Sequence, residues 1–181
     1  MSSRRRTAPS VLPRFDLTAI GDLSIILRAL DAATTDPELQ RRFAAVIDDD
    51  PRPFGERSWV AGGCFLIAES LRRLFGGRLL AIGEAGPLGA AAIEHVLLET
   101  QIEGKRLLID IHGFYVVEKE LFTFLTEVGN FREPRVVDAD HGALEAALLF
   151  DEPLTTLLTE RLAAFIEAER PKEGSAGAAA D

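Results

Sequence analysis

Ser58-Trp59-Val60-Ala61-Gly62-Gly63-Cys64-Phe65-Leu66-Ile67-Ala68-Glu69-Ser70-Leu71-Arg72-Arg73-Leu74-Phe75 reads as a glycine-rich loop turning into an apolar helix, with the only cysteine of the chain at the turn. The helical reading rests on spacing. Phe65, Leu66, Ala68, Leu71, Leu74 and Phe75 fall on one face, Glu69, Arg72 and Arg73 are expected to face outward, and Gly76-Gly77 ends the element. A thiol at such a helix start is well placed to react. The first N–H groups of a helix have no intrahelical acceptor and carry partial positive charge, which favours thiolate over thiol. Gly62 and Gly63, lacking Cβ, let the backbone turn sharply and let a carbonyl group approach the sulfur and its own N–H, so both are assigned to substrate binding.

Downstream, Arg78 to Gly83 predicts a short strand and Glu84 to Ala92 a loop passing near the cysteine. Ile93 to Ile102 alternates as a strand, Glu103-Gly104 is a hairpin signal, and Arg106 to Ile111 is its partner. With Glu103 and Gly104 as the two turn residues, Ile102 faces Lys105, Leu97 faces Asp110 and His95 faces His112. His95 and Asp110 then become diagonal neighbours on one face, roughly 7–8 Å apart at the backbone, a gap that side chains bridge. A slip of one residue would separate them. Later segments predict a helix over 118–127, a brief strand near 134–137, and helices near 142–150 and 154–169.

Upstream, Asp16 is expected to cap a helix running to about Ala33 through Leu17, Ile20, Leu23, Ile26, Leu27 and Leu30. Asp36-Pro37-Glu38 starts a second with cap, N1 proline and early acid. Asp48-Asp49-Asp50 lacks the ligand spacing and glycine of a calcium loop, so it reads as a solvated helix end. Residues 1–13 and 170–181 have the composition of disordered tails around a single domain, 14–169. The expected class is α+β, with helices packed on a small antiparallel sheet.

The chain has a formal charge of −9, and Arg4, Arg5, Arg6 and Arg14 all precede the first acidic residue, Asp16, so the remainder is more acidic still. That sign repels phosphate backbones, and nucleic acid is not an expected partner; the basic tail alone suits an anionic surface. A lone cysteine forms no intrachain disulfide and no cysteine-rich zinc site, which fits a reducing compartment. Neither a signal peptide nor a membrane span is read, so the expected location is the cytoplasm.

Each chemical assignment has a plainer competitor. Cys64 also reads as a small buried hydrophobe, His95 as a core histidine, and Asp110 as a cap on a turn at the sheet edge. As a site, Cys64 is the nucleophile, His95 the base, and Asp110 the carboxylate that fixes the imidazole tautomer. Glu94 is set aside, because a regular strand turns it away from His95. His112 remains a second possible base, and His141 reads as a surface residue. Trp59 either walls a substrate cleft or fills the core.

Gly62-Gly63-Cys64 opening a helix, His95-Val96-Leu97-Leu98-Glu99 as a strand, and Leu108-Ile109-Asp110-Ile111-His112-Gly113 as the next strand resemble the papain-like cysteine fold. The likeness is to its transglutaminase-like and arylamine N-acetyltransferase-like branches, which carry Cys, His and Asp in that order. The resemblance covers about 60 to 115. It implies a Cys64–His95–Asp110 triad and acyl transfer on a peptide or amide substrate through a thioester. The sequence departs from the family in having no suitable upstream glutamine, so a backbone pair including the Cys64 N–H would serve the oxyanion. It is short for the extra domains of acetyltransferases, and no cofactor or metal is expected. Two alternatives stand beside this: an interaction or scaffold protein on the same fold, and a zinc site made of Cys64, His95 and Asp110.

Overall fold

The structure is a computed structural model that describes residues 14–17, 23–50, 58–59, 62–85 and 91–169. Six helices pack on a five-stranded antiparallel sheet. In chain order the elements are α1 (Ser24–Thr35), α2 (Pro37–Asp49), α3 (Cys64–Phe75), β1 (Arg78–Ala85), β2 (Ala91–Ile102), β3 (Lys105–Ile109), β4 (Phe114–Tyr115), α4 (Glu118–Glu127), β5 (Arg135–Val137), α5 (His141–Ala147) and α6 (Glu152–Glu169). The strands lie in the order β4-β3-β2-β1-β5. The two tails, 1–13 and 170–181, and most of the loop 84–92 lie outside the described residues.

Local chemistry accounts for most boundaries. Asp36 caps α2, its Oδ1 accepting from the N–H groups of Glu38 and Leu39 at 2.9 Å each, with Pro37 at the first helical position. Asp140 caps α5 in the same way through Ala143 N–H, and Asp151 bonds Leu154 N–H at the start of α6. Asp48 and Asp49 are the last residues of α2, and Asp50 follows as its C-cap. The first described helix starts later than expected, with Leu23 as the N-cap of α1, and residues 18–22 of the expected helix lie outside the described residues; Phe15 is tied to the end of α3 through its N–H to the Leu74 carbonyl, 2.8 Å.

The hairpin register is the one the turn dictates: Ile102 pairs with Lys105, and the ladder runs through Gln101–Arg106, Thr100–Leu107 and Glu99–Leu108 to Leu98–Ile109. Glu103 and Gly104 both have positive φ, 50° and 77°, the geometry of a two-residue turn that matches the twist of its strands. Pairing stops at Ile109, short of Asp110. The other junction is irregular. On β1 the consecutive residues Ile82 and Gly83 face His95 and Ile93, so β2 carries one extra residue, Glu94, in a β-bulge. Gly83 is the tight point of the bulge, since a Cβ there would run into the Ala92 carbonyl oxygen and reach within 2.8 Å of Val137.

The sheet is covered on both faces. On one, α3 packs against β2 and β3 through Leu66, Ile67, Leu71 and Leu74, with α1, α2 and α6 behind it, while Phe65 and Ala68 meet Ala81, Val96 and Leu144. On the other, α4 lays Leu121 and Leu125 on Leu80, Ile82, Leu97 and Leu108. Alternation along β2 explains this division: Val96 and Leu98 point to α3, Leu97 to α4. Among the described residues no helix is long and apolar enough to cross a membrane.

One charged residue of α3 lies where amphipathic reasoning does not put it. Glu69, which the helical spacing turns outward, is only 2% exposed. Its carboxylate takes Arg72 in a fork, both contacts 2.7 Å, and Arg73 Nε at 3.0 Å; Arg73 reaches on to Glu152 of α6 at 2.6 and 2.9 Å. Beside it the buried Ser70 hydroxyl donates to the Thr155 carbonyl, 3.2 Å. This polar seam holds the cysteine helix to α6.

Candidate active site

Cys64 is the first residue of α3, and its N-cap is Gly63, which has no side chain to bond the first turn. The earliest intrahelical bond is from Ile67 N–H to the Gly63 carbonyl, 3.1 Å, so the N–H groups of Cys64, Phe65 and Leu66 have no partner within the helix. The contrast with the aspartate-capped helices is chemical. A capping carboxylate would occupy the very donors that a developing oxyanion needs.

The loop before the helix is fixed by two glycines and an aromatic pair. Gly62 has φ 121° and forms an isolated bridge with Ser58. A Cβ on Gly63 would lie 2.7 Å from the Trp59 carbonyl oxygen and 2.8 Å from its Cα. Trp59 is buried and stacks on Phe43 of α2, centroids 4.2 Å apart and planes at 15°. Its ring therefore belongs to the core that carries the loop, and the substrate-wall assignment is corrected accordingly. Gly63→Ala is expected to destabilise the fold by about 1–3 kcal/mol, the usual cost of overpacking against atoms that cannot give way. Urea unfolding checks this, and an unchanged midpoint would show that the loop tolerates the methyl.

His95 and Asp110 meet as the register requires: His95 Nε2 lies 3.2 Å from Asp110 Oδ2, both side chains being buried. The other carboxylate oxygen of Asp110 accepts from the backbone N–H groups of His112, 2.7 Å, and Gly113, 3.1 Å. Asp110 thus caps a turn with one oxygen and faces the imidazole with the other. Cys64 is 5% exposed and shares with His95, Asp110 and Ile111 a void too narrow for a water molecule. Burial alone would lower the His95 pKa. The hydrogen bonds to Asp110 and Cys64, and the charges of both, outweigh it and push the imidazole up to about 10.

The remaining assignments separate cleanly. His112 is exposed, its ring 5.0 Å from that of Phe124, and it meets Asp110 through its backbone only, so the structure does not place it as the base. His141 is half exposed and pairs with Glu145 at 3.1 Å. Glu94 does not approach Asp110's position beside Nε2, but the bulge overturns the reason for setting it aside: Glu94 and His95 line the same cleft. That cleft, about 290 Å³, runs from Gly62 and His95 across to His112, Phe124, Leu125, Val128 and Phe131. Among the described residues no group of three His, Cys, Asp or Glu side chains is placed to hold a metal ion.

One residue escaped the reading of the sequence. Tyr115 pairs with Leu108 across β3 and β4, which sets it diagonally beside Asp110. Burial and the neighbouring Asp110 carboxylate both raise the phenol, which keeps it neutral. The signal was slight: a two-residue strand directly after Gly113.

Comparison with protein families, with curated proteins and with solved structures finds no match to this chain.

Proposed function

We propose that the chain is a cysteine-dependent acyl-transfer enzyme of papain-like, transglutaminase-like type, acting on a peptide or amide substrate. The observation that supports this best is that Cys64, at an uncapped helix N-terminus, lines one void with His95 and a buried, doubly anchored Asp110. A single thiol with no disulfide partner suits a reducing compartment, and the cytoplasm is the proposed location.

In this reading the His95 imidazolium stabilises the Cys64 thiolate. Sγ attacks the carbonyl carbon, forming the S–C bond as the carbonyl electrons move to oxygen, which the Cys64 N–H and a second backbone N–H receive. His95 then gives its proton to the leaving nitrogen, the C–N bond breaks, and a thioester remains. Water or an amine loses a proton to His95 as it adds to the thioester. Collapse expels the thiolate and restores the starting pair. Asp110 keeps the ring oriented throughout.

The test is alkylation of the native protein by dilute iodoacetamide, read by intact mass. One adduct at Cys64 is the expected result. A folded protein whose thiol stays unmodified would instead favour the interaction-protein reading.

A further inference from the structure

The β-bulge in β2 does more than interrupt a ladder. In a regular strand Glu94 would turn away from His95, but the extra residue interrupts the alternation, and both residues line one cleft. The far wall is apolar and aromatic, made by His112, Phe124, Val128 and Phe131. Val128 is 62% exposed, an apolar surface left open at the mouth. Burial at the rim and the neighbouring Glu84 carboxylate both raise the Glu94 carboxyl. Among the described residues no lysine or arginine forms an ion pair with it. Among the described residues, then, the cleft joins an apolar and aromatic wall to a carboxylate with no lysine or arginine partner.

We propose that this cleft, which meets the candidate site at Gly62 and His95, is the specificity subsite of the enzyme, and that it takes a lysine- or arginine-type side chain of the substrate. The aliphatic stem lies along Phe124 and Val128, and the positive end pairs with Glu94. Long cationic side chains divide in this way, stem on apolar surface and head toward charge. Glu94 acts here in selection, and His95 remains the proton carrier.

This assignment rests on the acyl-transfer reading, and the experiment separates the two. Three Nα-acetyl chloromethyl ketones, lysyl, norleucyl and glutamyl, are compared by their rates of alkylation of Cys64. In each the thiolate displaces chloride and an S–CH2 bond forms. Norleucine keeps the lysine stem without the charge. The lysyl reagent is expected to react about tenfold faster than the norleucyl one at low ionic strength, and the glutamyl reagent slowest. In Glu94→Gln the ratio of lysyl to norleucyl rates should fall toward one. Glu103→Gln, on the distant hairpin turn, should leave the lysyl preference intact and so controls for the overall negative charge. Equal lysyl and norleucyl rates in the unmodified protein, or a lysyl preference that survives Glu94→Gln, would overturn the subsite. If norleucyl reagent and iodoacetamide both leave Cys64 untouched in the folded protein, the acyl-transfer reading fails and takes the subsite with it.

Discussion

His95→Gln is expected to slow the alkylation of Cys64 by iodoacetamide at pH 7 by about tenfold or more, with the fold intact. Glutamine keeps much of the bulk of the ring, so access to the sulfur changes little while the cationic partner is lost. Turnover on any amide substrate should fall further, by roughly 10²–10⁴, because protonation of the leaving nitrogen is lost as well. Stability should change with a definite sign. The imidazole is raised from 6.5 to about 10 in the folded chain, so its contribution is complete below pH 6.5 and is lost as pH climbs toward 10. The variant should lack that alkaline loss. An unaltered alkylation rate would show that His95 is a core histidine and nothing more.

Glu69→Ala carries the second large effect, an expected loss of about 2–4 kcal/mol in urea unfolding. Burial by itself would raise this carboxyl, but hydrogen bonds from Arg72 and Arg73 hold it below the ordinary glutamate range. Removing it leaves two guanidinium groups facing a buried gap. Arg73 keeps Glu152, and Arg72 regains some water, which is why the loss stops short of that for a fully enclosed pair. The acid limb follows from the same shift: the Glu69 contribution is complete above about pH 4.5 and disappears as pH falls below it. A midpoint shift worth under about 0.5 kcal/mol would reduce the seam to surface decoration.

The parts of this molecule legible in the sequence are those fixed by local chemistry. Asp36-Pro37 starts α2, Glu103-Gly104 sets the hairpin register, and that register brings His95 to Asp110. Cys64 at a helix start behind two glycines was equally visible. What escaped depended on partners distant in the chain. Glu69 looks like an outward residue until α6 closes over it with Glu152. Glu94 looks turned away until the bulge opposite Gly83 redirects it, and no alternation pattern announces a bulge. Trp59 had two equal readings, and only the packing of α2 against the loop decides between them. The papain-like assignment is a proposal that the order of Cys, His and Asp and their geometry support.

Trp59 is the one tryptophan of the chain, five positions ahead of the sulfur and pressed on Phe43 beneath the Gly62-Gly63 turn. Its ring is buried against Phe43, so the fluorophore is held in a fixed, largely apolar setting. The molecule thereby carries its own optical gauge. Light absorbed at the red edge of the aromatic band excites this indole alone, and any event that disturbs the glycine turn, from adduct formation to substrate docking, registers as a change in emission without an added dye.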